Sequence, residues 1–134
     1  MKNNSIRIFL TRLQNSQNKK HFFFEINLTR INVFLSEFLT REGFLRGYFF
    51  QNTKNSSKVK IFVIQKFDNL DLSCFRFIKR KNNFFDKIKS LKQKDLRKFC
   101  NGMGLSLFFS VHGFITNENL FWFRLGGKKI FELM

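Results

Sequence analysis

The residue types that most often carry out chemistry are sparse in this sequence and form no recognisable constellation. His21 and His112 have no acid or nucleophile at a known motif spacing. Cys74 and Cys100 form no CxxC pair and lie far from both histidines, so no known metal-ligand spacing is present. The 9 acidic residues are scattered, and the sequence has neither a glycine-rich phosphate loop nor a zinc knuckle. We therefore expect no catalytic residues, no cofactor, no metal and no small-molecule substrate.

The basic residues are a much stronger signal. Lys and Arg number 25 against 9 Asp and Glu, which gives a net charge of +16, and they continue along the chain to Lys129. A compact body with that surplus repels itself unless it is bound to a polyanion. Nucleic acid is favoured over an anionic membrane surface, because each cation that meets a phosphate releases a condensed counterion. Separately, no apolar run approaches the roughly 18 residues that would cross a membrane. The cationic clusters are Lys19 with Lys20, Arg76 with Lys79, Arg80 and Lys81, and residues 87–98.

The segment 102–113 is a second candidate contact with RNA. Its glycines and small polar residues would let an RNA backbone approach closely, and the Ser110 hydroxyl can meet a phosphate, a 2′-hydroxyl or a base edge. His112 precedes Gly113 at a predicted loop tip, where its imidazole is either simply solvated or bound to RNA. The spacing alone leaves an ordinary β-hairpin as the alternative.

Apolar periodicity predicts the order α-β-α-β-β for the first half of the chain. Two amphipathic helices are predicted at 5–17 and 29–42, the second capped by Thr29 or Asn27 and ended by Gly43. Apolar runs predict three strands, at 22–26, 48–51 and 59–67. The polar run at 52–57 predicts the turn of the hairpin between the last two strands.

Alternation predicts a second half that is rich in strands. The strands are expected at 75–80, 105–111, 114–116 and 128–133, with a ragged helix at 83–99 and a short turn or helix at 117–123. These elements predict an α+β protein. A length of 134 residues fits either one compact domain or two small halves that share a core.

Four motifs in the right order resemble those of a known family. Residues 102–116 and 125–128 read glycine-apolar-glycine, an apolar strand, a serine loop, glycine, an apolar pair, threonine, and later Gly-Gly. Residues 10–15 look like the first-helix motif of that family, 41–45 like its helix end and 75–80 like its basic strand. Over nearly the whole chain, the sequence resembles the universal S-eight family of small-subunit ribosomal proteins.

The resemblance implies a two-lobed α+β fold, with an N-terminal α-β-α-β-β lobe over 1–72 and a C-terminal lobe over 73–134 that is mostly antiparallel β with a short helix and is expected to bind RNA. It also implies a structural protein of the small ribosomal subunit. Such a protein would bind the central domain of small-subunit rRNA early in assembly, beside neighbouring ribosomal proteins, and support rRNA folding and translation. In the family, the C-terminal loop supplies most RNA contacts, and the matching positions are Ser110, Gly113, Thr116, Gly126 and Gly127. The matching N-terminal positions are Thr11, Arg12, Asn15, Thr29 and Arg30. The charge clusters and the loop tip add Lys20, Arg76, Lys79, Arg80, Lys81 and His112 as candidate RNA-binding residues.

The sequence also departs from the family pattern. Phe109 and Val111 occupy positions that usually carry hydroxyls, so hydrogen bonding by the loop is expected to be reduced. Ile78 replaces a usual tyrosine, and Asn27 stands where proline is common. The segment 82–100 is longer than is typical.

Residue choice points to an AT-rich genome. The chain has 22 Phe and frequent Asn and Lys, which AT-only codons can encode, but no Pro and no Ala, which need GC-rich codons. This favours an organelle genome, mitochondrial rather than plastid, with an AT-rich bacterium also open. Because the family match begins close to Met1, we expect no presequence and synthesis inside the organelle.

Two other functions compete with a ribosomal role. A generic basic protein that packages nucleic acid would need no ordered hairpin at 105–116. An RNA-modifying or RNA-cleaving enzyme would have to use His112, for which the sequence shows no partner acid or metal ligand.

Overall fold

The structure, a computed structural model, describes residues 2–52, 58–75, 78–80 and 104–134. The chain divides into two compact units, residues 1–74 and 75–134. The elements of the first unit are α1 (Lys2–Asn18), β1 (Phe23–Asn27), α2 (Arg30–Arg41), β2 (Leu45–Asn52) and β3 (Val59–Gln65). The elements described in the second are β4 (Ile78–Arg80), β5 (Leu105–Ser110), β6 (Gly113–Thr116), α3 (Asn117–Trp122) and β7 (Lys128–Leu133). The predicted α+β class and the order α-β-α-β-β are confirmed.

Helix α2 shows why these residues fold as they do. The hydroxyl of Thr29 caps its start by accepting the amide of Asn32 at 3.2 Å. At its end, Gly43 adopts a φ of +83°, and the amide of Phe44 donates to the Leu39 carbonyl at 2.9 Å. Glycine is suited to this left-handed conformation, which ends the helix and satisfies its last carbonyls. The predicted cap and the predicted stop at Gly43 are both confirmed.

The first unit packs two helices on one face of a three-stranded antiparallel sheet with the strand order β1-β3-β2. The buried side chains alternate along the strands, as in β1, where Phe24 and Ile26 are buried and Phe23 is exposed. Phe9 of α1 meets Phe24 edge to face, with ring centroids 5.7 Å apart. The core is therefore on the helix-covered face, and the opposite face of the sheet is open.

The second unit is built on an antiparallel sheet with the strand order β4-β7-β5-β6. Leu107, Phe131 and Leu133 are fully buried in it, and Leu120 fixes α3 against Phe108. Residue Ser110 pairs with Gly113, so β5 and β6 form a tight hairpin whose turn consists of residues 111 and 112.

Some predicted boundaries were wrong, each for a physical reason. Strand β2 begins at Leu45 rather than at 48, because a bulge between Leu45 and Gly47 interrupts the alternation that marks a strand. Strand β3 ends at Gln65, and Phe67 forms only an isolated bridge with Ser73. The predicted helix at 83–99 and most of the predicted turn at 52–57 lie outside the described residues.

Candidate nucleic-acid interface

The β5–β6 hairpin is closed by one serine. Ser110 is buried, and its hydroxyl donates to the carbonyl of Gly113 at 3.2 Å while it accepts the amide of His112 at 3.2 Å. Gly113 has a φ of +103°, which side-chain-bearing residues rarely adopt. The hydroxyl that the sequence offers to RNA is therefore engaged within the turn, and it fixes the shape of the tip.

The surface of the tip is formed by the residues around Ser110. Val111 is 97% exposed and His112 is exposed beside it. Phe109 is half exposed and meets Phe114 edge to face at 5.3 Å between ring centroids. The hairpin thus presents two apolar side chains and one imidazole, which can donate, accept or stack.

Two other C-terminal candidates, Thr116 and Gly127, are buried within the second unit. Thr116 is buried and caps α3, because its hydroxyl accepts the amide of Asn119 at 3.3 Å. Gly127 is also buried, and a Cβ there would lie 3.2 Å from the Phe109 carbonyl oxygen. The neighbouring Gly126 is exposed, so the Gly126–Gly127 segment runs beside the hairpin with one glycine facing outward.

The mid-chain basic cluster is only partly described. Lys79 is exposed on β4, where it lies opposite Glu132 of β7, and Glu132 forms an ion pair with Lys129. Arg80 is the last residue of β4. Arg76 and Lys81 lie outside the described residues.

The N-terminal candidates divide into a groove and a helix start. Arg12, Asn15 and Lys20 line one groove of about 690 Å³ between the end of α1 and the edge of β1. This α1–β1 groove is also lined by Ser16, Lys19, His21, Phe22, Phe23, Phe24 and Glu25. Arg12 donates to the main-chain carbonyl of Glu25, so its guanidinium joins α1 to β1 as well as facing the groove.

The remaining N-terminal candidates lie elsewhere in the first unit. Thr11 donates its hydroxyl to the carbonyl of Arg7 at 2.8 Å, one turn earlier in α1. Thr29 caps α2, and Arg30 is exposed as the first residue of that helix. A cation in a first helical turn is electrostatically unfavourable by about 0.3–1 kcal/mol, which a bound anion would offset.

A comparison with protein families decides what kind of protein carries these surfaces. The family model described as "Ribosomal protein S8" matches residues 4–133. The chain belongs to the ribosomal protein S8 family. The resemblance inferred from the four sequence motifs is confirmed, and so is the interpretation that the chain is a structural ribosomal protein rather than an enzyme.

Individual relatives in the S8 family are similar over nearly their whole length. The "Small ribosomal subunit protein uS8" of Lactobacillus helveticus is 29% identical over 124 residues, which span 91% of this chain and 90% of the relative. The proteins of the same name from Streptococcus pneumoniae and Lactobacillus acidophilus are 25% and 28% identical over 122 and 124 residues, with the same coverage. All three relatives are bacterial.

The described part of this S8-family chain shows neither a metal site nor a membrane-crossing helix. Within residues 2–52, 58–75, 78–80 and 104–134, no group of three His, Cys, Asp or Glu side chains is arranged to hold a metal ion. None of the helices that the structure describes combines the length and apolar content of a membrane crossing.

Sequence reasoning missed part of the α1–β1 groove. It singled out Lys19 and Lys20 as a charge cluster, but it did not place Phe22 and Phe23 beside them. The available signal was the run of three phenylalanines at 22–24 in a strand, because alternation must leave at least one ring on the uncovered face.

Proposed function

We propose that this chain is a constituent of the small ribosomal subunit, that it binds the central domain of the subunit's rRNA, and that it contacts neighbouring ribosomal proteins there. Membership of the S8 family over residues 4–133 supports this, as does the name that its relatives carry. The net charge of +16 supplies the attraction to phosphate.

The observation that carries the proposal is the exposed hairpin tip. The two hydrogen bonds of the Ser110 hydroxyl close the turn that carries Val111 and His112, which lowers the cost of ordering this turn against a folded RNA. Lys128 lies opposite Phe109 in the sheet and places a cation next to the tip of the same hairpin. We propose that this C-terminal lobe, residues 73–134, makes the main RNA contact and that the lobe over 1–72 makes the second.

Binding to an rRNA fragment tests the proposal. The wild-type chain is titrated against a transcript of the central domain and against random duplex DNA of equal length, at several salt concentrations. We expect the transcript to bind more tightly at each salt concentration, with a loss of about 10³ or more in affinity from low to moderate salt. Equal affinity for the two nucleic acids would contradict the proposal and indicate a generic packaging protein.

We further propose that the ribosome in question is organellar, and mitochondrial rather than plastid. The support is compositional: 22 Phe, no Pro and no Ala fit an AT-rich genome. The test is to fractionate the source cells and follow the chain by immunoblot. We expect it in protease-resistant mitochondria together with small-subunit rRNA, and recovery with cytosolic ribosomes would contradict this location.

A further inference from the structure

A row of aromatic rings crosses the open face of the first sheet. Phe23 of β1, Phe62 of β3 and Phe49 of β2 contribute one ring from each strand, and we call them the aromatic row. The centroid of the Phe62 ring lies 6.0 Å from that of Phe23 and 5.2 Å from that of Phe49, which is stacked on it within 10°. Phe23 is 58% exposed and Phe49 is 44% exposed. These rings lie on the face away from the helices, so the core does not account for them.

The aromatic row ends in the α1–β1 groove, because Phe23 belongs to both. The groove is also lined by Lys19, Lys20 and His21, which follow the last turn of α1. The amides of these three residues donate to main-chain carbonyls of the helix over 2.9–3.1 Å. The cations are therefore carried on a fixed turn beside an exposed ring.

The charges of the groove favour an anionic ligand. The groove is lined by three cations, Arg12, Lys19 and Lys20, and by one carboxylate, Glu25. That carboxylate forms an ion pair with Lys60 at 3.0 Å. Ser16 also lines the groove, but its hydroxyl is buried, and its Oγ has no hydrogen-bond partner in the part of the chain that the structure describes.

Aromatic rings beside cations can bind both the base and the phosphate of a nucleotide. An unpaired base can stack on an aromatic ring while its phosphate meets Lys or Arg, whereas the bases of a duplex are already stacked on each other. A protein partner fits less well, because Lys is depleted from the centres of protein–protein interfaces. The volume of about 690 Å³ lies within the usual range of ligand sites, roughly 300–1,000 Å³.

We propose that the α1–β1 groove and the aromatic row bind an unpaired RNA nucleotide, with its base on Phe23 and its phosphate at Lys19 and Lys20. The inference rests on the proposed function in that this nucleotide belongs to the rRNA. It adds a stacking site in the first unit that works independently of the hairpin tip.

The test compares two exposed phenylalanines on opposite faces of the first sheet in the full-length chain. Phe23→Leu removes a ring of the aromatic row, and Phe50→Leu removes one that is 52% exposed and stands on the other face beside Tyr48. The probe is a labelled single-stranded oligouridylate, with an RNA duplex of equal length as reference. We expect Phe23→Leu to weaken oligouridylate binding about tenfold, because stacking contributes about 1–3 kcal/mol per base. The affinity of Phe50→Leu for oligouridylate, and the affinity of either variant for the duplex, should change by less than about twofold.

The dependence on salt separates stacking from charge. Phe23→Leu should lower the affinity for oligouridylate at every salt concentration without changing the slope of log K against log salt. Lys19→Gln with Lys20→Gln should reduce that slope by about 0.7, the value for one phosphate of single-stranded RNA. Phe23→Tyr keeps the ring and should retain wild-type affinity. Unchanged duplex binding by Phe23→Leu shows that its loss of oligouridylate affinity does not come from misfolding.

Two results would overturn the inference and leave the proposed function standing. One is equal oligouridylate affinity in Phe23→Leu and Phe50→Leu while the wild type still binds the central-domain transcript. The other is a concentration-dependent dimer that Phe23→Leu abolishes with no change in oligouridylate affinity, because the occupant would then be a second copy of the chain. Failure of the wild type to bind the transcript would instead remove the proposed function.

Discussion

The Ser110 hydroxyl donates to the Gly113 carbonyl at 3.2 Å, and this bond joins the two ends of the turn that the hairpin presents to solvent. The same oxygen accepts the amide of His112, so two of its hydrogen-bonding positions are occupied inside the protein. Ser110 therefore acts on RNA through the shape of the tip, and the groups that reach outward are Val111 and His112.

Two serines of β5 provide a matched pair for testing this role. Ser110 and Ser106 are both buried, but the Ser106 hydroxyl has no hydrogen-bond partner within the described residues. Ser110→Ala should lower the free energy of unfolding by about 1 kcal/mol, the usual contribution of a hydrogen bond. Ser106→Ala should leave it unchanged or raise it, because an unsatisfied polar group is removed. Urea denaturation measures both, and equal losses would show that the hydroxyl bond does not hold the hairpin.

Gly127 is closely packed against the β5 backbone. An added Cβ would lie 3.2 Å from the Phe109 carbonyl oxygen and 3.4 Å from Leu120 Cδ1. Gly127→Ala should therefore destabilise the chain by about 1–3 kcal/mol, the cost of overpacking. Gly47→Ala is the control, since its Cβ would meet nothing within 4 Å. Thermal unfolding followed by circular dichroism compares the two, and an unaffected Gly127→Ala melting temperature would contradict this packing.

Thr29 is expected to stabilise the chain mainly as the N-cap of α2. Thr29→Ala removes the acceptor of the Asn32 amide and should lower stability by about 1 kcal/mol. Thr29→Ser keeps the oxygen and should retain wild-type stability. Chemical denaturation measures this difference, and a loss in the serine variant equal to that in the alanine variant would argue against a capping role.

Arg124 carries backbone strain that glycine would relieve. Its φ is +52°, in the left-handed region, where a side chain costs roughly 1–2 kcal/mol. Arg124→Gly should therefore raise the free energy of unfolding by about 1 kcal/mol. Arg124→Ala removes the same charge but keeps Cβ, so it should give no such gain. A gain of equal size in the alanine variant would assign the effect to charge.

Local patterns predicted the fold well because they depend on nearby residues. The stripe of α2, its cap at Thr29 and its stop at Gly43 all lie within a few turns of each other, and each is confirmed. Likewise, alternation and Gly113 were enough to predict the β5–β6 hairpin.

Features that depend on tertiary packing were not readable from the sequence. Leu105, Leu107 and Phe109 alternate in the sequence as one apolar face, yet the first two are buried and Phe109 is half exposed, and the pairing with β7 shifts register between Leu107 and Phe108. The bulge at Gly47 hid the start of β2 in the same way. The α1–β1 groove depends on which helix packs at the edge of β1, and that too is a long-range contact.

The most direct test of the account is to map ultraviolet crosslinks between protein and RNA in small subunits isolated from the source cells. The account predicts that the chain is present in these particles and that peptides containing the hairpin tip, residues 110–113, are crosslinked to small-subunit rRNA. Absence of the chain from small subunits, or crosslinks of the tip to other nucleic acids alone, would contradict it.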